Sequence, residues 1–146
     1  MDAEVKRVLE AYNELGRESL EFSLLAGRGA TRALVAQLVE QGWLRPAGEQ
    51  DLFTRTEDGR LALAGPRDVT LYTRPGCHLC DEVKAQIAPL LGKFGARLRE
   101  VNIDADPALR ERYTNDVPVI FLGSRKVAKH RVNLEQFRRQ LEQSCP

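Results

Sequence analysis

The sequence predicts an α/β chain in two parts: a small, mainly α domain over residues 1–65 and a domain of alternating strands and helices over residues 66–146. Three observations carry that prediction. Apolar residues recur at helical spacing from Val5 to Val39. From Val69 onward, short β-branched and aromatic runs alternate with helical stretches. Gly65-Pro66 is a turn dipeptide, and the charge changes sign across it. Residues 1–65 hold eight Lys/Arg against eleven Asp/Glu, a net −3, whereas residues 66–146 hold fourteen against ten, a net +4. With 42% hydrophobic and 29% charged residues, the composition is that of a soluble globular protein with enough apolar material for a core.

The elements follow in order. Val5, Val8, Leu9, Tyr12 and Leu15 mark one face of a helix that stops near Gly16. Ser19 reads as the N-cap of a second short helix carrying Leu20, Phe22, Leu24 and Leu25, ended by Gly27-Arg-Gly29. Thr31 caps a third, with Leu34, Val35, Leu38 and Val39 as its buried stripe and Gly42 as its stop. Trp43–Pro46 and Asp51–Thr56 are strands around Ala47-Gly48-Glu49-Gln50, and Arg60–Ala64 is a short apolar segment.

Three helices followed by a two-strand ribbon resemble a winged helix-turn-helix, on the stretches Leu38-Val-Glu-Gln-Gly-Trp-Leu44 and Arg55-Thr-Glu-Asp-Gly-Arg60. The plainer reading is a helical domain with a hairpin used for packing or partner contact. Duplex DNA must be met with Lys and Arg, and only Arg28, Arg32, Arg45 and Arg55 are placed to supply them, with Glu40, Glu49 and Asp51 nearby. The charge balance disfavours DNA and points to a protein partner, a second copy of the chain, or the flank of the second domain, meeting residues 1–65.

In the second part, Val69–Thr73 is a strand broken by Pro75-Gly76. Leu79, Val83, Ile87, Leu90, Leu91 and Phe94 then recur at helical spacing, with Pro89 expected to kink the helix. Ala96–Ile103 alternates as a half-buried strand. Asp106 and Pro107 open a helix as N-cap and first residue. Val117–Leu122 and Lys126–Lys129 form a hairpin around Gly123-Ser124, and Asn133 caps a last helix bearing Leu134, Phe137 and Leu141.

The chemistry concentrates in Thr73-Arg-Pro-Gly-Cys-His-Leu-Cys80. Cys77 falls at the cap of a helix, where unpaired N–H groups and the positive end of the dipole favour a thiolate. Cys80, one turn on, is close enough to close a small disulfide ring. That arrangement suits thiol–disulfide exchange, in which one thiolate attacks and a neighbour resolves. A zinc half-site is the second reading, but zinc wants four ligands and only Cys145, His78 and His130 remain; no metal is expected. A structural disulfide is the third, and would crosslink almost nothing.

Strands and helices in the order β-α-β-α-β-β-α, with Cys-x-x-Cys at the first βα junction and Val-Pro opening the third strand, resemble the thioredoxin superfamily. Within it the chain is similar to small glutaredoxin-like proteins, on Leu71–Cys80, Val101-Asn-Ile-Asp-Ala-Asp106 and Asp116-Val-Pro-Val119, over Val69 to about Gln143. The resemblance implies a thioredoxin-like fold with a four-stranded mixed sheet, a catalytic pair Cys77 and Cys80, and a cis Val117–Pro118 bond facing the disulfide. Such a bond would turn the Val117 backbone toward an extended substrate; without the family context, a trans Pro at a strand start is the base expectation.

Arg74 is placed to stabilise the thiolate or steer an anionic thiol such as glutathione, or else is a solvated loop charge. His78 would lower the Cys77 pKa if protonated, or serve as an exposed spacer. Asp81 reads as a dipole-complementing surface charge, Tyr72 as core and Cys145 as a bystander thiol in the tail. Glutathione-using relatives carry Gly-Gly followed by Cys/Ser-Asp after the hairpin. Here Val127-Ala-Lys-His-Arg-Val-Asn133 has neither the Gly pair nor the Asp, which weakens the case for glutathione as co-substrate.

Together these readings predict a cytoplasmic dithiol oxidoreductase. It acts on protein or small-molecule disulfides with no cofactor beyond its own disulfide, and Arg74, His78, Val117 and Pro118 line the substrate. The charged N-terminus lacks an apolar signal core, no apolar run is long enough for a bilayer, and three cysteines do not make a disulfide-stapled fold. The alternative is a regulatory module whose DNA or protein binding responds to the Cys77/Cys80 redox state.

Overall fold

The computed structural model describes residues 1–48 and 50–144; Glu49 and Cys145, both weighed above, lie outside the described residues. The chain forms two compact units, Met1–Leu63 and Ala64–Pro146.

The first unit runs α1 (Ala3–Leu15), β1 (Ser19–Glu21), α2 (Phe22–Ala26), α3 (Arg32–Glu40), β2 (Leu44–Pro46), β3 (Leu52–Arg55) and α4 (Glu57–Ala62). Its sheet has three strands in the order β1-β3-β2, all antiparallel, where the sequence predicts two. Ser19 is therefore no helix cap. It pairs with Thr54, and the two hydroxyls lie 2.7 Å apart. A three-residue strand with one buried side chain, Leu20, is too short to display a period of two, so its pattern merges with the helix that follows. Arg60–Ala64 also differs from expectation: α4 starts earlier, because the Thr56 hydroxyl accepts the Gly59 amide as an N-cap. Thr31 caps α3 as predicted, accepting from the Leu34 amide. Val8, Leu9, Tyr12, Leu20, Leu25, Leu38 and Leu44 form the core of this unit.

The second unit runs β4 (Asp68–Thr73), α5 (His78–Phe94), β5 (Arg97–Asn102), a 3-10 turn (Ile103–Ala105), α6 (Pro107–Tyr113), β6 (Val119–Leu122), β7 (Arg125–Lys129) and α7 (Leu134–Ser144). The sheet is four-stranded and mixed, in the order β5-β4-β6-β7. β4 is parallel to β5 and antiparallel to β6, which is antiparallel to β7. This is the thioredoxin-like arrangement. β4 is buried on both faces, with Val69 and Leu71 in one core cluster and Tyr72 in the other, which is why it lacks a polar alternation. Val83 and Ile87 of α5 and Phe137 and Leu141 of α7 cover the first face. Leu109 and Tyr113 of α6, with Ile103, cover the second. Pro89 lies within α5 on its exposed side, and the helix continues through it to Phe94.

Register fixes what meets at the sheet's functional end. Thr73 aligns with Asn102, Tyr72 with Val119, and Val119 with Lys129. The C-terminal ends of β4, β5 and β7 and the N-terminal end of β6 therefore share one edge.

Candidate redox site

Pro75-Gly76 ends β4 and turns the chain into α5, and Gly76 takes φ 77°, a left-handed conformation that a side chain resists. Cys77 then caps α5. Its Sγ accepts the Cys80 amide at 3.2 Å, and its carbonyl accepts the Asp81 amide at 3.2 Å. Cys77 and Cys80 are joined in a disulfide, with 5.3 Å between their Cα atoms. The two sulfurs are not equivalent. Cys77 is half-buried, whereas Cys80 is only 2% exposed. Of the two cysteines, Cys77 is the more accessible. His78 is exposed, as a spacer would be, and Leu79 beside it is also exposed.

The Arg74 side chain is engaged by Asp104 and Thr114. Its Nη2 donates to Asp104 Oδ1 at 2.7 Å and its Nε to Asp104 Oδ2 at 3.4 Å, while Nη1 reaches the Thr114 carbonyl at 3.5 Å. A planar fork gripping a carboxylate has fewer donors left for any other anion. The Arg74 hydrogen bond is the main cause that holds the Asp104 carboxyl below the usual carboxylate range; burial opposes it, and Arg110 adds to it. The pair straps the loop before Cys77 to the turn after β5. In the sequence Asp104 stands out only as part of the Val101–Asp106 motif. The signal that finds it is the parallel register Thr73–Asn102, which brings positions thirty residues apart together.

The Val117–Pro118 bond is cis and Pro118 is buried. The next residue, Val119, pairs with Tyr72, so the dipeptide arrives at the edge of the sheet from which β4 runs out toward Cys77. The Val117 amide is not turned outward: it donates to the Tyr113 carbonyl at 3.2 Å. Beneath this edge Tyr72 and Tyr113 stack, and Phe121 meets Tyr72 edge-on. Among the described residues no group of three or more His, Cys, Asp or Glu side chains is arranged to hold a metal ion.

A family model for the glutaredoxin-like domain (DUF836) matches residues 68–142, from the start of β4 to within α7. The chain belongs to the glutaredoxin-like family. The glutaredoxin-like unit is also 30% identical over 81 residues to a glutaredoxin-like protein of Dictyostelium discoideum, a match covering 51% of this chain and 75% of that one. An uncharacterised protein of Mycobacterium tuberculosis is 28% identical over 81 residues, covering 52% of this chain and 84% of its own. Among solved structures, an NMR structure of a Nitrosomonas europaea protein is similar at 31% identity and TM-score 0.45, covering 49% of this chain and 87% of that one. The glutaredoxin-like fold and the disulfide at its first βα junction support a redox-type function.

Proposed function

We propose that the chain is a thiol–disulfide oxidoreductase in which Cys77 attacks and Cys80 resolves. The observation that carries this is the asymmetry of the pair: a half-buried cysteine at the α5 N-cap bonded to a cysteine that is 2% exposed. In the reduced protein, the Cys77 thiolate attacks one sulfur of a substrate disulfide. A Cys77–substrate disulfide forms and the other substrate sulfur leaves as a thiolate. Cys80 then loses its proton and attacks Cys77 Sγ, releasing the second substrate thiol and forming the Cys77–Cys80 disulfide. Two electrons pass from the protein dithiol to the substrate, and a thiol reductant returns them in the next cycle. Because the cycle depends on that reductant, a compartment that keeps thiols reduced, the cytoplasm, is its proposed setting. Among the described residues no helix is long and apolar enough to cross a membrane.

Glutathione is one candidate reductant, held by Val117, Pro118 and the neighbouring turn rather than by a Gly-Gly and Asp pair. The deciding experiment is turnover of a small disulfide and a protein disulfide, each with glutathione and with a dithiol reductant. Turnover lost in Cys77→Ser supports the reading, and equal rates in wild type and Cys77→Ser defeat it.

A second reading concerns the first unit. The order α1-β1-α2-α3-β2-β3 and its three-stranded sheet favour a winged helix more than the two-strand ribbon read from sequence. Most of the arginines placed for phosphate contact, however, are occupied. Arg28 pairs with Glu14, Arg32 grips Asp51 with two hydrogen bonds, and Arg55 donates to the Leu9 carbonyl and Asn13. Of the four arginines considered for phosphate contact, three have intramolecular partners. A protein partner or a second copy of the chain is therefore the proposed ligand of this unit. Pull-down with oxidised and reduced protein tests whether the Cys77–Cys80 state gates that contact.

A further inference from the structure

The sheet edge that carries the disulfide is electrically lopsided. On the β5 side, Arg74 of the cysteine loop is paired with Asp104. On the β7 side the strand ends in Lys129-His130-Arg131, all exposed. Lys129 reaches a single carboxylate, Asp116, at 4.0 Å. Neither His130 nor Arg131 has an ion-pair or side-chain hydrogen-bond partner among the described residues.

The backbone ties this tripeptide to the site. The His130 amide donates to the Pro118 carbonyl at 2.8 Å and to that of Asp116 at 3.3 Å. The Arg131 amide closes back on the Lys129 carbonyl at 2.7 Å, a three-residue turn with His130 at its centre and φ 65°. A side chain at that φ costs backbone energy that glycine would avoid, and glycine is what a fold alone would ask for. A strained residue beside a reactive edge is a reason to look for a function.

We infer that Lys129, His130 and Arg131 form a specificity element that selects disulfides flanked by carboxylates, in the form of an acidic polypeptide segment. The inference rests on the redox reading of Cys77 and Cys80. An extended acidic segment reaching Cys77 past Pro118 passes this turn. Its carboxylates meet the Arg131 guanidinium, which has no ion-pair partner among the described residues, and the Lys129 ammonium, which Asp116 approaches only to 4.0 Å. Each exposed pair is worth about a 1.4- to 5-fold rate difference at low salt. It fades as ionic strength rises, because the charges are solvent-facing.

The test uses the full chain and three peptides that share one disulfide, flanked by Glu, by Ser or by Lys. Wild type is expected to reduce them in the order Glu, Ser, Lys at low salt, with the order collapsing at high salt. Arg131→Glu should lower the Glu-to-Ser rate ratio. His130→Gly, which relaxes the turn, should lower the same ratio without lowering the melting temperature; a merely structural role for His130 predicts no change in ratio. Equal rates for the three peptides in wild type, or an order untouched by Arg131→Glu, overturns the inference while leaving disulfide exchange intact. No reduction of any peptide defeats the redox reading and this inference with it.

Discussion

The rings of Tyr72 and Tyr113 stack with centroids 4.9 Å apart and planes 24° from parallel, joining the strand that leads to Cys77 to the helix that leads to Pro118. Both are buried, at 1% and 5% exposure, and the Tyr113 carbonyl also takes the Val117 amide. Tyr113→Ala is expected to cost about 3 to 5 kcal/mol, the range for removing a buried aromatic ring. Tyr113→Phe, which keeps the stack, should stay within about 1 kcal/mol of wild type. Urea unfolding measures both, and equal losses in the two variants would show that the hydroxyl, not the ring, matters.

Cys77 should have a thiol pKa below the roughly 8.5 of a free cysteine, since in the reduced state it would sit at the N-terminus of α5. Alkylation of the reduced protein across pH is expected to label Cys77 first, with an acid-shifted midpoint. Cys80→Ser should keep the first attack and accumulate a mixed disulfide visible by mass. Preferential labelling of Cys80 refutes the assignment of roles.

Asp104 provides a pH signature. Its folded pKa is depressed, chiefly by the Arg74 hydrogen bond. A depressed carboxyl stabilises the fold fully above its unfolded value of about 3.9 and loses that contribution as pH falls through the folded value. Wild type should therefore lose melting temperature more steeply below about pH 4 than Asp104→Asn does. Parallel curves through that window would show that the strap carries no acid-sensitive stability.

Gly59 allows a test in the first unit. A Cβ built there would lie 2.4 Å from the Trp43 carbonyl oxygen, a backbone atom with little room to yield. Helix propensity alone favours Gly→Ala by about 1 kcal/mol, so the sign of the effect is informative. Gly59→Ala is expected to destabilise by about 1 to 3 kcal/mol in thermal or urea unfolding. A stabilised variant would mean that α4 packs less closely on Trp43.

Duplex DNA should be bound no more tightly than about 10⁻⁴ M by the full chain at physiological salt, the weak end of non-specific affinity. Fluorescence anisotropy with a mixed-sequence duplex measures it. Micromolar binding that falls steeply with salt and is weakened by Arg32→Ala and Arg45→Ala would bring the DNA-responsive alternative forward.

What could be read from the sequence was what neighbours in the chain decide. Cys77 as a cap, Asp106 and Pro107 opening α6, and Thr31 and Asn133 as caps all rest on contacts within a few residues. The resemblance carried the cis Val117–Pro118 bond. What stayed hidden depends on pairing across the sheet. Arg74 was weighed beside Cys77 because they are three positions apart, yet its partner comes from thirty positions on. Ser19 reads as a helix cap for the same reason, since its partner Thr54 lies thirty-five positions on.

One face of the second unit's core closes late. Val83 and Ile87 of α5 share a cluster with Phe137 and Leu141 from the last helix. Cys77 and Cys80 are therefore synthesised well before the segment that completes this cluster. A chain halted short of α7 would carry its disulfide-forming pair on a helix that still lacks part of its apolar cover.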